Sequence, residues 1–167
     1  MPKFEELSSE HDRADFDCGE PALNHFLQKT ARQHADKGIS RTFVLANEPD
    51  PVRIIGFFTL TMCEVETAVL PAKLAKKYPR GHLPGAKLAR MGVRSDEQGK
   101  GYGSVVLVEA IQRVAAAGQN VGCVGLFVDA KGVHARTFYE KFGFLPLRDR
   151  ALELFLPFAT VLEWATF

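Results

Sequence analysis

Cysteine is scarce. The chain of 167 residues has three, Cys18, Cys63 and Cys123, far apart and with no C-x-x-C pair. With its histidines scattered as well, this argues against a zinc site and fits a reducing compartment. No apolar run approaches the ~18 residues that a membrane span needs. The start, Met1-Pro2-Lys3-Phe4-Glu5-Glu6, is charged and lacks the apolar core of a secretory signal, so a cytosolic protein is expected. Repeats, low-complexity tracts and linkers are absent too, which leaves one domain over 1–167. That length encloses a core without disulfide or metal staples.

Charge is nearly balanced at +1 but unevenly placed. From Glu5 to Glu20 there are seven acids and one arginine. From Thr67 to Arg94 there is no acid, while Lys73, Lys76, Lys77, Arg80, Lys87, Arg90 and Arg94 accumulate. Such a stretch either attracts a polyanion or is a solvated lysine face.

Phe4 to Leu7 reads as a short strand. Asp17, Glu20 and Pro21 then signal a helix start with Asp17 as the cap, and Leu23, Phe26, Leu27, Thr30 and Ala31 follow at helical spacing until Gly38. Thr42–Ala46 and Arg53–Leu60 are β-rich runs on either side of Glu48-Pro49-Asp50-Pro51, a hairpin signal. A segment punctuated by Pro and Gly, from Pro71 to Gly85, holds a short helix around Leu74. A strand is expected at Leu88–Val93, a helix at Gly103–Ala117, a buried strand at Cys123–Val128, a helix at Val133–Phe142 closed by Gly143, and strand-like runs from Leu154 to Trp164. This order predicts an α/β (α+β) fold with a mixed sheet covered by helices and a parallel crossover late in the chain.

Gln98-Gly99-Lys100-Gly101-Tyr102-Gly103-Ser104 lies between a predicted strand and a predicted helix. Glycines at alternate positions permit φ > 0 and close approach of a ligand, and the helix start presents unpaired N–H groups suited to a pyrophosphate. No Lys-Ser or Lys-Thr pair follows the glycines, and Ser104 stands where a G-x-G-x-x-G pattern has its third glycine. The segment resembles the Q/R-x-x-G-x-G/A loop of the GNAT acetyltransferase superfamily, with Gln98, Gly101 and Gly103 at the defining positions. The resemblance implies a GNAT-like sheet, mostly antiparallel with a parallel central pair. It also implies acetyl-CoA as co-substrate, its pyrophosphate on residues 98–104 and its pantetheine arm along the strand near Met91 and Val93. No metal is implied.

Ala135-Arg136-Thr137-Phe138-Tyr139-Glu140-Lys141-Phe142-Gly143-Phe144 resembles the A-x-x-F-Y-x-x-x-G-F ending of the same superfamily. Helical spacing puts Ala135, Phe138 and Phe142 on one face as core and Tyr139 about 100° further round. Tyr139 is then either a tyrosine at the core edge or the general acid that protonates the departing thiolate. No carboxylate announces itself as base, although Glu64 and Glu66 are candidates. An α-amine, at pKa ~7.7–8.0, needs far less help to lose its proton than a lysine at ~10.4. An α-amine acceptor is therefore favoured.

Phe16 to Leu27, Ser40 to Val44, and Leu154-Phe155-Leu156-Pro157-Phe158 are similar to the toxin branch of that superfamily. Its members acetylate aminoacyl-tRNA, stop translation, pair with a ribbon-helix-helix antitoxin and are typically homodimers. On this resemblance Lys29, Arg32, Lys76, Lys77, Arg80, Lys87 and Arg90 are candidate tRNA phosphate contacts. The rival readings are acetylation of a protein N-terminus or small amine, and a CoA-binding regulator without catalysis. An intact Gln98, Gly101, Gly103 and Tyr139 speak against the second.

Overall fold

Ile54-Ile55-Gly56-Phe57-Phe58-Thr59 is buried on both faces, as only a central strand of a covered sheet can be. The computed structural model describes residues 3–47 and 52–165. The hairpin loop expected at Glu48-Pro49-Asp50-Pro51 lies outside the described residues.

The elements are β1 (Lys3–Glu6), α1 (Pro21–His25), a π-helical turn (Phe26–Thr30), α2 (Ala31–Asp36), β2 (Arg41–Ala46) and β3 (Ile54–Glu66). Then come α3 (Ala72–Ala75), β4 (His82–Val93), α4 (Tyr102–Gly118), β5 (Gly125–Asp129), α5 (Val133–Glu140), β6 (Leu145–Leu147), β7 (Arg150–Pro157) and α6 (Phe158–Ala165). The strands are ordered β1-β2-β3-β4-β5-β7-β6. The β4–β5 pair is parallel, in register from Ala86↔Leu126 to Leu88↔Val128, whereas β1–β2, β2–β3, β5–β7 and β6–β7 are antiparallel. The expected mixed sheet with one parallel central pair is therefore present.

Two compact units divide the chain: Met1–Thr61 with Ala89–Ala110, and Met62–Leu88 with Ile111–Phe167. In the first unit Phe16, Cys18, Leu27, Val44, Ile54 and Phe57 form the core, with Phe16 edge-on to Phe57 at 5.4 Å. Each buried phenylalanine contributes about 1.5–3 kcal/mol. The second unit is built on Leu70, Leu83, Phe127, Leu147 and Phe155, and Phe127 stacks on Phe155 at 4.7 Å.

Several expectations need correction. Asp17 does not cap α1: Glu20 is the N-cap residue, without a side-chain bond, and Pro21 opens the helix. The strand expected from Leu88 starts at His82, so Pro84 and Gly85 lie inside it. The Pro84 carbonyl accepts the Val124 N–H at 2.9 Å. At Gly85 a Cβ would stand 2.5 Å from the Phe127 ring, so this glycine permits close approach rather than a turn. Phe158–Ala165 is helical, not strand-like. Val161 is buried there, the Trp164 ring packs at a tilt against Phe142 with centroids 5.2 Å apart, and its indole N–H donates to the Phe142 carbonyl at 3.0 Å. Packing overrides the aromatic and β-branched composition that favoured a strand. The helix expected from Pro21 to Gly38 is present but interrupted by the π turn, and Gly38 follows it with Ile39 N donating to His34 O at 2.8 Å.

Candidate active site

In the first unit β4 continues from Ala89 to Val93 after its last pairing with β5, which leaves that stretch to meet a ligand's backbone-like amides. Residues 98–101 then turn into α4. Gly99 and Gly101 have φ of 80° and 88°, and nothing lies within 4 Å of where a Cβ would stand on either. Gly103 instead lies in the first turn of α4 with ordinary φ, so two of the three glycines adopt the left-handed conformation. The Gly101 carbonyl accepts the Val105 N–H at 3.3 Å, marking it as the first acceptor of the helix. The N–H groups of Tyr102, Gly103 and Ser104 lack intrahelical acceptors by position, and a helix of 17 residues places its positive end behind them. Open space, free amides and that dipole fit a pyrophosphate.

The Gln98 side chain points away from this space. Its Nε2 donates to the Cys18 carbonyl at 3.0 Å and to the Val93 carbonyl at 2.9 Å. Carboxylates near the loop would repel phosphate, but each is neutralised. Asp96 pairs with Arg53 at 2.9 Å and with Arg94 at 3.1 Å, and Glu97 pairs with Lys100 at 3.1 Å and with Arg53 at 3.4 Å. Burial raises the Asp96 carboxyl, yet the Arg94 hydrogen bond and charge outweigh it and hold it below its usual range. Arg94 is 7% exposed and also donates to the Ile54 carbonyl at 3.0 Å and to Asp15 at 2.8 Å. It is a structural cation, unavailable for a ligand.

In the second unit Tyr139 lies on α5. Its ring is enclosed by Phe138 and Phe144, both at 5.4 Å. The hydroxyl has no hydrogen-bond partner among the described residues. The expected faces are reversed: Tyr139 is buried, whereas Ala135, Phe138 and Phe142 are half-buried. Burial pushes the phenol up to about 12, so it keeps its proton throughout the working range.

Glu64 and Glu66 line an open groove of about 450 Å³ in this second unit, together with Cys63, His82, Lys87 and Asp129. Glu64 pairs with His82 at 3.2 Å, and Glu66 has no partner among the described residues. Burial raises the thiols of Cys18 and Cys63, so neither is a ready nucleophile at neutral pH. Three or more metal-ligating side chains do not come together among the described residues.

The basic candidates fall into different situations. Lys29 is exposed, Arg32 is half-buried, and the Arg90 guanidinium stacks on Phe26, 4.0 Å from its ring centroid. Lys76, Lys77 and Arg80 are exposed without ion-pair partners among the described residues, whereas Lys87 is paired with Asp129 at 2.9 Å. Sequence reasoning missed Arg94's structural role. It also missed the contacts of Asp17-Cys18-Gly19 with the loop, which involve backbone carbonyls and so leave no residue pattern.

The acetyltransferase (GNAT) domain model matches residues 38–146. A probable toxin TacT of Sinorhizobium fredii is 30% identical over 159 residues, covering 90% of this chain and 87% of its own. A tRNA-acetylating toxin of Mycobacterium tuberculosis is 34% identical over 138 residues, with 83% and 81% covered. Among solved structures, a mutant of KacT superposes with a TM-score of 0.91 at 30% identity, over 97% of this chain and 98% of that one. AtaT complexed with acetyl-methionyl-tRNAfMet superposes at 0.89 with 34% identity, over 98% of both. AtaTR bound with AcCoA gives 0.82 at 35% identity, over 97% and 96%. An AtaT mutant bound to the C-terminus of the antitoxin AtaR gives 0.82 at 30%, over 99% of each.

Proposed function

Because the chain belongs to the GNAT acetyltransferase family, we propose that it moves the acetyl group of acetyl-CoA onto the α-amine of an aminoacyl-tRNA and thereby blocks translation. The observation that carries this is the likeness over nearly the whole chain to AtaT, whose solved complex holds acetyl-methionyl-tRNAfMet. The single domain, the cytoplasmic location and the homodimer belong to the same reading. Among the described residues no helix is long and apolar enough to cross a membrane. An antitoxin partner is supported by AtaT bound to AtaR, and we take it to be of the ribbon-helix-helix kind.

The chemistry follows from the residues. Amides of Tyr102, Gly103 and Ser104, with the backbone of the Gly99-Lys100-Gly101 turn that follows Gln98, receive the pyrophosphate. Backbone groups near Met91 and Val93 align the pantetheine, and an amide there stabilises the oxyanion formed when the amine nitrogen attacks the thioester carbonyl. As the C–S bond breaks, its electron pair goes to sulfur and Tyr139 donates its proton there. The attacking amine, neutral for much of the time near pH 8, releases its extra proton to water without a dedicated carboxylate. The Cys18 and Cys63 thiols, raised by burial, favour this direct transfer over an acyl-cysteine route.

Labelled acetyl-CoA incubated with a charged tRNA pool, uncharged tRNA and a protein mixture tests the proposal. Label on the aminoacyl group supports it. Label on protein or small amines leaves the acetyltransferase and removes the toxin.

Lys77→Glu and Arg80→Glu are expected to weaken tRNA binding and to reduce the slope of log K against log salt by about one per lost phosphate contact. Lys87→Glu should have less effect on that slope, since Asp129 already neutralises Lys87. Filter binding across a salt series measures both, and an unchanged slope for Lys77 and Arg80 returns that stretch to plain surface.

A further inference from the structure

At the two left-handed glycines of the loop nothing lies within 4 Å of where a Cβ would stand, so side-chain packing does not hold them, and residues 99–101 are tied down by the exposed Lys100–Glu97 pair and by the Gly101 carbonyl that accepts the Val105 N–H. Glycine carries the largest backbone freedom of any residue, and a loop like this pays ordering entropy on binding unless its flanks are held. The flanks are held from one place. Gln98 Nε2 bridges the Cys18 and Val93 carbonyls, so both of its amide hydrogens are engaged by protein. Ser95 N donates to the Asp17 carbonyl at 2.8 Å. Asp17 and Cys18 are themselves locked by Asn24 at the start of the helical run. The Asn24 Nδ2 donates to Asp17 Oδ1 at 2.8 Å, its Oδ1 accepts the Cys18 N–H at 2.9 Å, and Asp17 Oδ1 also accepts the Gly19 N–H at 2.9 Å. Those two donors, Gly19 first and then Asn24, keep the Asp17 carboxyl below its usual range. The Cys18 side chain lies against Gly92 of β4, where a Cβ would come within 3.4 Å of its sulfur.

We propose that Asp17, Cys18, Asn24 and Gln98 form a brace that positions the coenzyme loop in its ligand-ready shape, Gln98 acting on the loop rather than on the pyrophosphate. The inference rests on residues 98–104 being the pyrophosphate cradle. It gives the Phe16-Asp17-Cys18-Gly19 segment, singled out in the sequence by resemblance alone, a physical role. Asn24, far along the chain from the loop, becomes a determinant of coenzyme affinity without touching the coenzyme.

The test measures Kd for CoA by calorimetry and the kcat and KM for acetyl-CoA on charged tRNA. Gln98→Leu and Asn24→Ala are each expected to raise Kd and KM about tenfold, with kcat at saturation within about twofold. Gln98→Arg, which restores N–H donors, should recover most of the affinity. The double variant Gln98→Leu/Asn24→Ala should be little weaker than either single one, because both break the same brace. Gly101→Val, which forces a β-branched side chain to φ of 88°, serves as the control for the cradle. If it weakens CoA binding while the brace variants do not, the brace falls and the cradle stands. If it too leaves binding unchanged, the cradle itself is wrong. A lowered melting temperature and lowered kcat with unchanged Kd would make the brace merely structural and overturn the proposal.

Discussion

Tyr139→Phe is expected to lower kcat at saturating acetyl-CoA by about a hundredfold or more while changing Kd for CoA by less than about twofold. Phenylalanine fills the same space between Phe138 and Phe144, so the packing of α5 survives and only the hydroxyl is lost. Because that hydroxyl makes no hydrogen bond to the described protein, its removal leaves no protein group unsatisfied. The loss therefore lies in the transition state. Full activity of the variant would remove Tyr139 from the mechanism.

The pH dependence follows with a definite sign. Burial raises the phenol from 10 to about 12, so the acid form is present below that value and is lost only as pH rises through it. No falling limb from Tyr139 is expected in the range where the protein is assayed. The rising limb of kcat/KM belongs to the acceptor and should lie near pH ~8 for an α-amine, against ~10.4 for a lysine. The same shift makes a stability statement: the native state gains from keeping Tyr139 neutral, fully below pH ~10, and loses that gain as pH climbs toward about 12. In Tyr139→Phe this part of the alkaline destabilisation should be missing, which urea titrations at successive pH values measure.

Gly125→Ala should produce the largest loss of stability. Gly125 opens β5 opposite Pro157 of β7, with φ of 156°. A Cβ there would stand 2.2 Å from the Leu156 carbonyl oxygen and 2.5 Å from the Phe155 ring. The carbonyl is backbone in a paired strand and cannot swing aside as a side-chain end can, so relief requires β5 and β7 to separate locally. The expected cost is about 3–5 kcal/mol, a large part of the roughly 5–15 kcal/mol that keeps a domain folded. Gly122→Ala, where nothing lies within 4 Å, should change stability by no more than about 0.5 kcal/mol. Urea midpoints compare the two, and equal midpoints would show that the strands relax around the methyl group.

Much of the local structure was legible because it depends on local causes. The β-rich run Arg53–Leu60 is found in β3, the helix expected at Gly103–Ala117 is α4, and the glycines at 99 and 101, after the strand expected at Leu88–Val93, make a ligand loop. Family motifs placed Tyr139 on a helix near the end of the chain. The misreadings share another cause. Pro84 and Gly85 look like turn residues until the Phe127 ring is seen beside Gly85, and Phe158 to Trp164 look like strand until Trp164 is seen packed against Phe142. Helical spacing separated Tyr139 from Phe138 and Phe142 but gave the core to the wrong face, since Tyr139 is the buried one.

What the sequence determined alone was the order of strands, loop and helices from β1 to α5 and the chemical kit of glycine loop and phenol, since propensity, periodicity and turn chemistry act over a few residues. Tertiary structure decided which face was inner, which lysine was neutralised by Asp129, and how the Gln98 amide was used. Those outcomes depend on contacts between residues far apart in the chain, among them the carbonyls of Cys18 and Val93, and a backbone carbonyl has no letter in the sequence.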